Sequence, residues 1–306
     1  MTIRSLFPYP GGKSRVAADV HQRFGRVANR VEPFAGTAFW AISAPEDGAT
    51  VTINDADGFI TNCYRAIAAE PNAVARWVDW PVSEVDLHAR HRWLVDRRNT
   101  TEAQLRADPT WYDAQIAGWW LWGICAWIGD GWCPRHGRRL VQQLPYLGGS
   151  SAGQGVHRVS GGTPELLHEY SRRLRPMRIC CGDWQRVLGP SVTERHGITA
   201  VFLDPPYPDT SMHYAGGAAH VWEQAWQWAV ANGDNPMLRI AICGYDDGRD
   251  VPDGWSVYRW KARGGYGSQG NGTGRENAKR ETIYYSPHCI NETPMERMLR
   301  EMENAA

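Results

Sequence analysis

No run of apolar residues in this 306-residue chain reaches membrane-spanning length. The stretch from Met1 to Gly12 holds no signal-peptide apolar core, so a soluble intracellular protein is the expectation. Lysine is scarce: of 33 cationic side chains, only Lys13, Lys261 and Lys279 are not arginine. The seven cysteines form no CxxC pair, and even the adjacent Cys180-Cys181 fits reduced thiols rather than a secreted disulfide framework. Cys133 and His136 lack partners at ligand spacing, so no zinc site is expected. No internal repeat is evident. A net charge of zero announces no polyanionic partner. The arginines do gather, at Arg90 to Arg98, Arg135 to Arg139, Arg172 to Arg178 and Arg259 to Arg280. Such clusters suit phosphates, and they also suit ordinary solvated faces.

What is present is a rhythm of short apolar runs between turn residues. Strands are predicted at Val27 to Phe34, Thr50 to Asp55, Met177 to Gly182, Ile198 to Asp204, Met237 to Tyr245, Trp255 to Ala262 and Glu281 to Ser286. Helical patterns at Ser14 to Phe24, Phe59 to Ala69, Trp184 to Leu188 onward and His220 to Ala231 alternate with them. The fold class is therefore α/β, a seven-stranded mostly parallel sheet with helices on both faces. Between the last two strands lies the glycine-rich, polar linker Arg263 to Lys279, which predicts an antiparallel hairpin with a long loop. Residues 70–176 break the rhythm and read as a mainly helical insertion, dividing the main domain into 1–69 and 177–306. Within it, Trp119, Trp120, Trp122, Trp127 and Trp132 have faces that stack on bases, but crowding in one apolar segment favours a helix core.

Chemistry concentrates at the ends of the predicted strands. Asp204-Pro205-Pro206-Tyr207 follows the apolar run from Ile198 to Leu203, so an acid faces the crevice where open α/β sheets bind ligands. Two prolines fix the backbone and leave carbonyls free to accept, and Tyr207 offers a flat face for stacking. That set suits an exocyclic amino group on a planar base. Pro8-Tyr9-Pro10-Gly11-Gly12-Lys13-Ser14 places glycines and a cation ahead of a helix, where an anionic group is held, but it lacks the spaced first glycine of a Walker A loop. The first strand ends in Phe34-Ala35-Gly36-Thr37-Ala38, small residues that admit a ligand to the backbone without the GxGxxG fingerprint of a nicotinamide site. The second strand ends in Asn54-Asp55-Ala56-Asp57, an acid about twenty residues on, placed for a ribose diol.

Pro10 to Lys13, Val31 to Gly36, Asn54-Asp55 followed by Phe59 to Tyr64, Gly182-Asp183-Trp184 and Asp204 to Tyr207 stand in one order along most of the chain. In that order and spacing the chain resembles the Dam-type (D12 class) family of S-adenosylmethionine-dependent DNA adenine-N6 methyltransferases. The resemblance implies a class I methyltransferase Rossmann-like sheet and makes the helical insertion a target-recognition domain. It implies that Tyr9, Lys13, Phe34, Ala35, Gly36, Asp55, Asp183 and Asp204 contact S-adenosyl-L-methionine, and that Asp204, Pro205, Pro206 and Tyr207 form the catalytic motif. Tyr9 replaces the family's commoner tryptophan, and Ala38 stands where a second glycine is usual. Asp57 competes with Asp55 for the ribose role and ranks below it.

Double-stranded DNA is the implied partner, with a restriction endonuclease compatible as a second, in the cytoplasm of a bacterium or phage-infected cell. Arg135, Arg138 and Arg139 are candidates for base or phosphate contact, and Arg263, Arg275 and Lys279 for closing over the DNA backbone. Cytosine N4, an RNA base and an inactive binding relative stay open as alternatives.

Overall fold

The computed structural model describes residues 3–9, 12–128, 132–134, 143–147, 155–157, 162–207, 217–260 and 281–291. Its strands are β1 (Asn29–Glu32), β2 (Thr50–Asp55), β3 (Arg178–Cys181), β4 (Thr199–Leu203), β5 (Leu238–Tyr245), β6 (Ser256–Arg259) and β7 (Glu281–Tyr285). They form one seven-stranded sheet in the order β3-β2-β1-β4-β5-β7-β6. β1 to β5 pair with one another in parallel, and β7 runs antiparallel to both β5 and β6. Every residue of β4 is buried, as a central parallel strand covered on both faces requires. β1 beside it is buried too, yet three of its four residues are polar. Each has a partner: the Asn29 amide donates to the Val192 carbonyl at 2.8 Å, Arg30 forks onto Asp47 at 2.8 and 2.6 Å, and Glu32 accepts from the Ala41 amide at 3.0 Å.

The helices are α1 (Ala17–Phe24), α2 (Phe39–Ile42), α3 (Gly58–Ala69), α4 (Pro71–Val78), α5 (Glu84–Ala107), α6 (Ala114–Ile124), α7 (Thr163–Leu174) and α8 (Ala218–Asn232). Two details differ from the sequence expectation. The helical pattern near the N-terminus precedes β1, and the β1 to β2 connection holds only the single turn α2. After β3 no α-helix forms; 3₁₀ turns at Trp184–Val187 and Glu194–His196 replace it. Gly189-Pro190 follows the first turn, and a proline there cannot continue a helix.

Helices α4 to α7 fill the connection from β2 to β3 and pack on and around α3. The Asn62 side chain of α3 pairs with the backbone of Asp113, donating to its carbonyl and accepting from its amide, both at 2.9 Å. Asp113 in turn caps α6 by accepting from the Ile116 amide at 2.8 Å. Gly118 lets α6 approach α4: a Cβ there would lie 2.3 Å from that of Trp77. Trp120, Trp122, Trp127 and Trp132 are all buried, so these indoles are core, while Trp119 is partly buried.

Among the described residues, several arginines of the cationic clusters are engaged within the chain. Arg172 and Arg173 engage Glu46 and Glu169, Arg259 engages Asp246, and Arg90 and Arg98 are buried. Arg135, Arg138, Arg139, Arg263, Arg275 and Lys279 lie outside the described residues. Among those described, no helix is long and apolar enough to cross a membrane.

Candidate functional site

The sheet order reverses between β1 and β4: from β1 the chain steps outward to β2 and β3, then returns to β1's other side. A crevice opens at such a switch point, beyond the carboxyl ends of the strands. The turns after β1, β2, β3 and β4 meet there. Asn54 ties three of them together, its side-chain amide donating to the carbonyls of Pro33 at 2.9 Å and Gly182 at 3.1 Å. The Gly182 amide donates to the Asp55 carbonyl at 3.0 Å, so Asp183 stands next to Asp55.

Asp55 organises the turn after β1. Its two carboxylate oxygens accept from the amides of Gly36 at 2.9 Å and Asp57 at 2.8 Å. Gly36 has a φ of +46°, and a Cβ on it would meet the Tyr9 ring at 2.8 Å, so glycine is required there on both counts. Its carbonyl accepts from the Tyr64 hydroxyl. Ala38 also sits in the left-handed region, at a φ of +50°, where alanine carries strain that glycine would not. Asp57 is committed elsewhere: it caps α3 through the Phe59 amide at 2.8 Å and takes a two-pronged hydrogen bond from Arg98. Phe34 and Trp184 face each other with ring centroids 5.4 Å apart, and the Asp183 carboxylate accepts from the Gln185 amide at 2.9 Å.

Across the crevice, the Lys13 ammonium lies 2.9 Å from the Asp204 carboxylate and 3.8 Å from that of Glu281. Burial works against the lysine's charge, but the two carboxylates outweigh it and hold the proton firmly. Burial pushes the Asp204 carboxyl up from its ordinary value, and Lys13 pulls it back. A fifth of the Asp204 side chain remains exposed, 21%, against 3% for Lys13. Tyr207 is not an open platform: it is 5% exposed, its ring lies 4.5 Å from that of Tyr245, and the Lys13 ammonium sits 5.1 Å from its centroid. Its hydroxyl donates to Glu281 at 2.9 Å.

The arrangement brings Lys13, Asp204 and Tyr207 into one cluster and Tyr9, Gly36 and Asp55 into another, and adds three residues that the sequence did not single out. Glu281 joins Lys13 to Tyr207 although it lies 74 residues from the tyrosine, at the start of the hairpin strand β7. Tyr245 backs the Tyr207 ring from the end of β5. Glu32, at the end of β1, is buried, and that burial, with the carboxylates of Asp204 and Asp55 nearby, raises its carboxyl well above the usual range.

Residues 9–83 match the family model of the D12 class N6 adenine-specific DNA methyltransferases. The matched stretch carries Tyr9, Lys13, Phe34 to Gly36 and Asp55, and the seven-stranded, mostly parallel sheet fits a methyltransferase fold. Asp183 and Asp204 to Tyr207 lie outside the D12 match and reach the same crevice through the fold. No curated protein matches the chain. Among the described residues, no three His, Cys, Asp or Glu side chains gather to hold a metal ion.

Proposed function

We propose that the protein transfers a methyl group from S-adenosylmethionine to N6 of an adenine in double-stranded DNA. The observation that carries this reading is the buried Lys13, Asp204, Tyr207 and Glu281 cluster beside a crevice whose other wall is the D12-matched turns. The crevice suits the cofactor chemically. Asp55 and Asp183 offer carboxylate oxygens to hydroxyl and amino donors, Phe34 and Trp184 offer ring faces, and the turn at Gly36 has no side chain to obstruct a close approach. Among the described residues, a buried oxygen of Asn54 between these turns has no donor.

When bound, S-adenosylmethionine supplies an electrophilic methyl on a sulfonium. The chain's residues act on the amine. N6 of adenine is a poor nucleophile because its lone pair is delocalised into the ring. The Asp204 carboxylate and the Pro205 carbonyl accept hydrogen bonds from its two hydrogens, localise that pair and balance the positive charge that develops, and Asp204 takes the proton that N6 sheds on methylation. Lys13 keeps Asp204 ionised and oriented, and Glu281 holds the Tyr207 hydroxyl so that the ring walls the pocket. A base inside a duplex cannot reach this depth, so the adenine flips out at a cost of a few kcal/mol. The 70–176 segment serves as the target-recognition domain, and a restriction endonuclease partner is compatible with this activity.

The competing substrate is RNA. Incubation of the protein and methyl-labelled S-adenosylmethionine with duplex DNA or with RNA of the same sequence is expected to label the DNA alone. Label confined to the RNA would overturn the assignment.

A further inference from the structure

Four tryptophans from α4, its following turn, α5 and α6 line a cleft of about 340 Å³ that lies outside the crevice described above: Trp77, Trp80, Trp93 and Trp119. Trp80 is 54% exposed and Trp77 39%, whereas Trp120 and Trp122 of α6 are buried. Into this cleft faces Arg90, itself only 7% exposed. Its guanidinium lies 4.1 Å from the Trp122 ring centroid, 5.2 Å from that of Trp119 and 5.9 Å from that of Trp80.

The arginine is held by rings rather than by an acid. Among the described residues its buried Nη1 has no hydrogen-bond partner, and the Asp86 carboxylate that lines the same cleft accepts instead from the Trp80 indole at 3.0 Å. A buried guanidinium donor without a partner is costly, and an acceptor brought by a ligand removes that cost. Arg90 already supplies the cation for the surrounding rings, so a cationic ligand is repelled. What fits is a flat ring that stacks on the exposed indoles and presents a carbonyl oxygen to Arg90, with an anionic group for the exposed Arg76 at the rim. A nucleotide of a single strand has all three. Along α5, Arg90 precedes Arg98 by eight residues, about 12 Å at the helical rise, and Arg98 grips Asp57 beside Asp55.

We propose that this cleft holds an unpaired base of the DNA strand, stacked on Trp80 and Trp77 with its carbonyl on Arg90. The proposal rests on the DNA methyltransferase reading. It is tested by anisotropy with labelled oligothymidylate and with an abasic oligomer of equal length, on the wild type, Trp80→Ala and Trp80→Phe. The wild type is expected to prefer the oligomer that carries bases. Trp80→Ala should weaken that binding about tenfold and erase the preference, and Trp80→Phe should restore most of it. An unchanged preference in Trp80→Ala overturns the proposal and leaves the cleft to a peptide, and an equal loss for both oligomers overturns it by reducing the contact to charge. Methyl transfer to duplex DNA by the wild type is measured alongside. Transfer without a base preference removes the cleft assignment alone, and a base preference without transfer removes the methyltransferase reading alone.

Discussion

Asp204→Asn is expected to lower the rate of methyl transfer by about 10²–10³-fold, the usual effect of removing one preorganised charge-stabilising group. The substitution keeps the volume of the side chain and deletes the charge that faces the Lys13 ammonium at 2.9 Å. Lys13 retains Glu281 at 3.8 Å, so the cluster is weakened rather than abolished, and the loss reports on the amine acceptor. The pH dependence has a definite sign. Burial raises the Asp204 carboxyl above its ordinary value of 3.8, with Lys13 opposing, and only the ionised form accepts both the lysine and the substrate hydrogens. The rate should therefore rise with pH through a limb above the ordinary carboxylate range. Single-turnover rates across pH check this: the limb is present in the wild type and missing in Asp204→Asn. A wild-type rate that is flat through the acid range would remove Asp204 from the role.

Arg98→Met should cost about 3–5 kcal/mol of stability, the typical loss when one partner of a buried ion pair is deleted. For a chain of this size, that is a fall in thermal midpoint of about 5–8 °C. Arg98 donates to both oxygens of Asp57, at 2.8 and 3.2 Å, and to the Cys133 carbonyl, with its guanidinium 4.3 Å from the Phe59 ring centroid. It thus binds the start of α3, the middle of α5 and the segment around Cys133 into one unit. Burial opposes its charge and Asp57 more than compensates, so the guanidinium stays charged. Arg172→Met is the control. Arg172 is half exposed and bound to Glu46 and Glu169 at the surface, where solvent screens the pair, and its loss should leave the midpoint nearly unchanged. Equal shifts for the two variants would contradict the account of Arg98.

What could be read from the sequence follows from how local each signal is. The run from Ile198 to Leu203 is apolar but for Thr199 because β4 is covered on both faces, and that alone located the strand whose end carries Asp204. The sheet, including the antiparallel return of β7, was legible from the same alternation and from the glycine-rich linker before it. The connection after β3 was misread because Trp184 to Leu188 has helical spacing, while the Gly189-Pro190 stop and the Asp183 cap confine it to one 3₁₀ turn. Glu281 was invisible for a different reason: it reaches Tyr207 only once β7 has paired with β5, a contact no spacing encodes. The arginine clusters left two readings open because sequence counts charges without their partners. Arg90 and Arg98 lie in one run, yet one is buried among indoles and the other grips a carboxylate.

The central claim is that the Asp204 cluster methylates the amino group of adenine. The most direct test is to incubate the protein with methyl-labelled S-adenosylmethionine and unmethylated duplex DNA, digest the DNA and separate the nucleosides. The label is expected to co-migrate with N6-methyl-2′-deoxyadenosine, and Asp204→Asn should all but remove it. Label in N4-methylcytosine, or label in N6-methyladenine that is undiminished in Asp204→Asn, would contradict it.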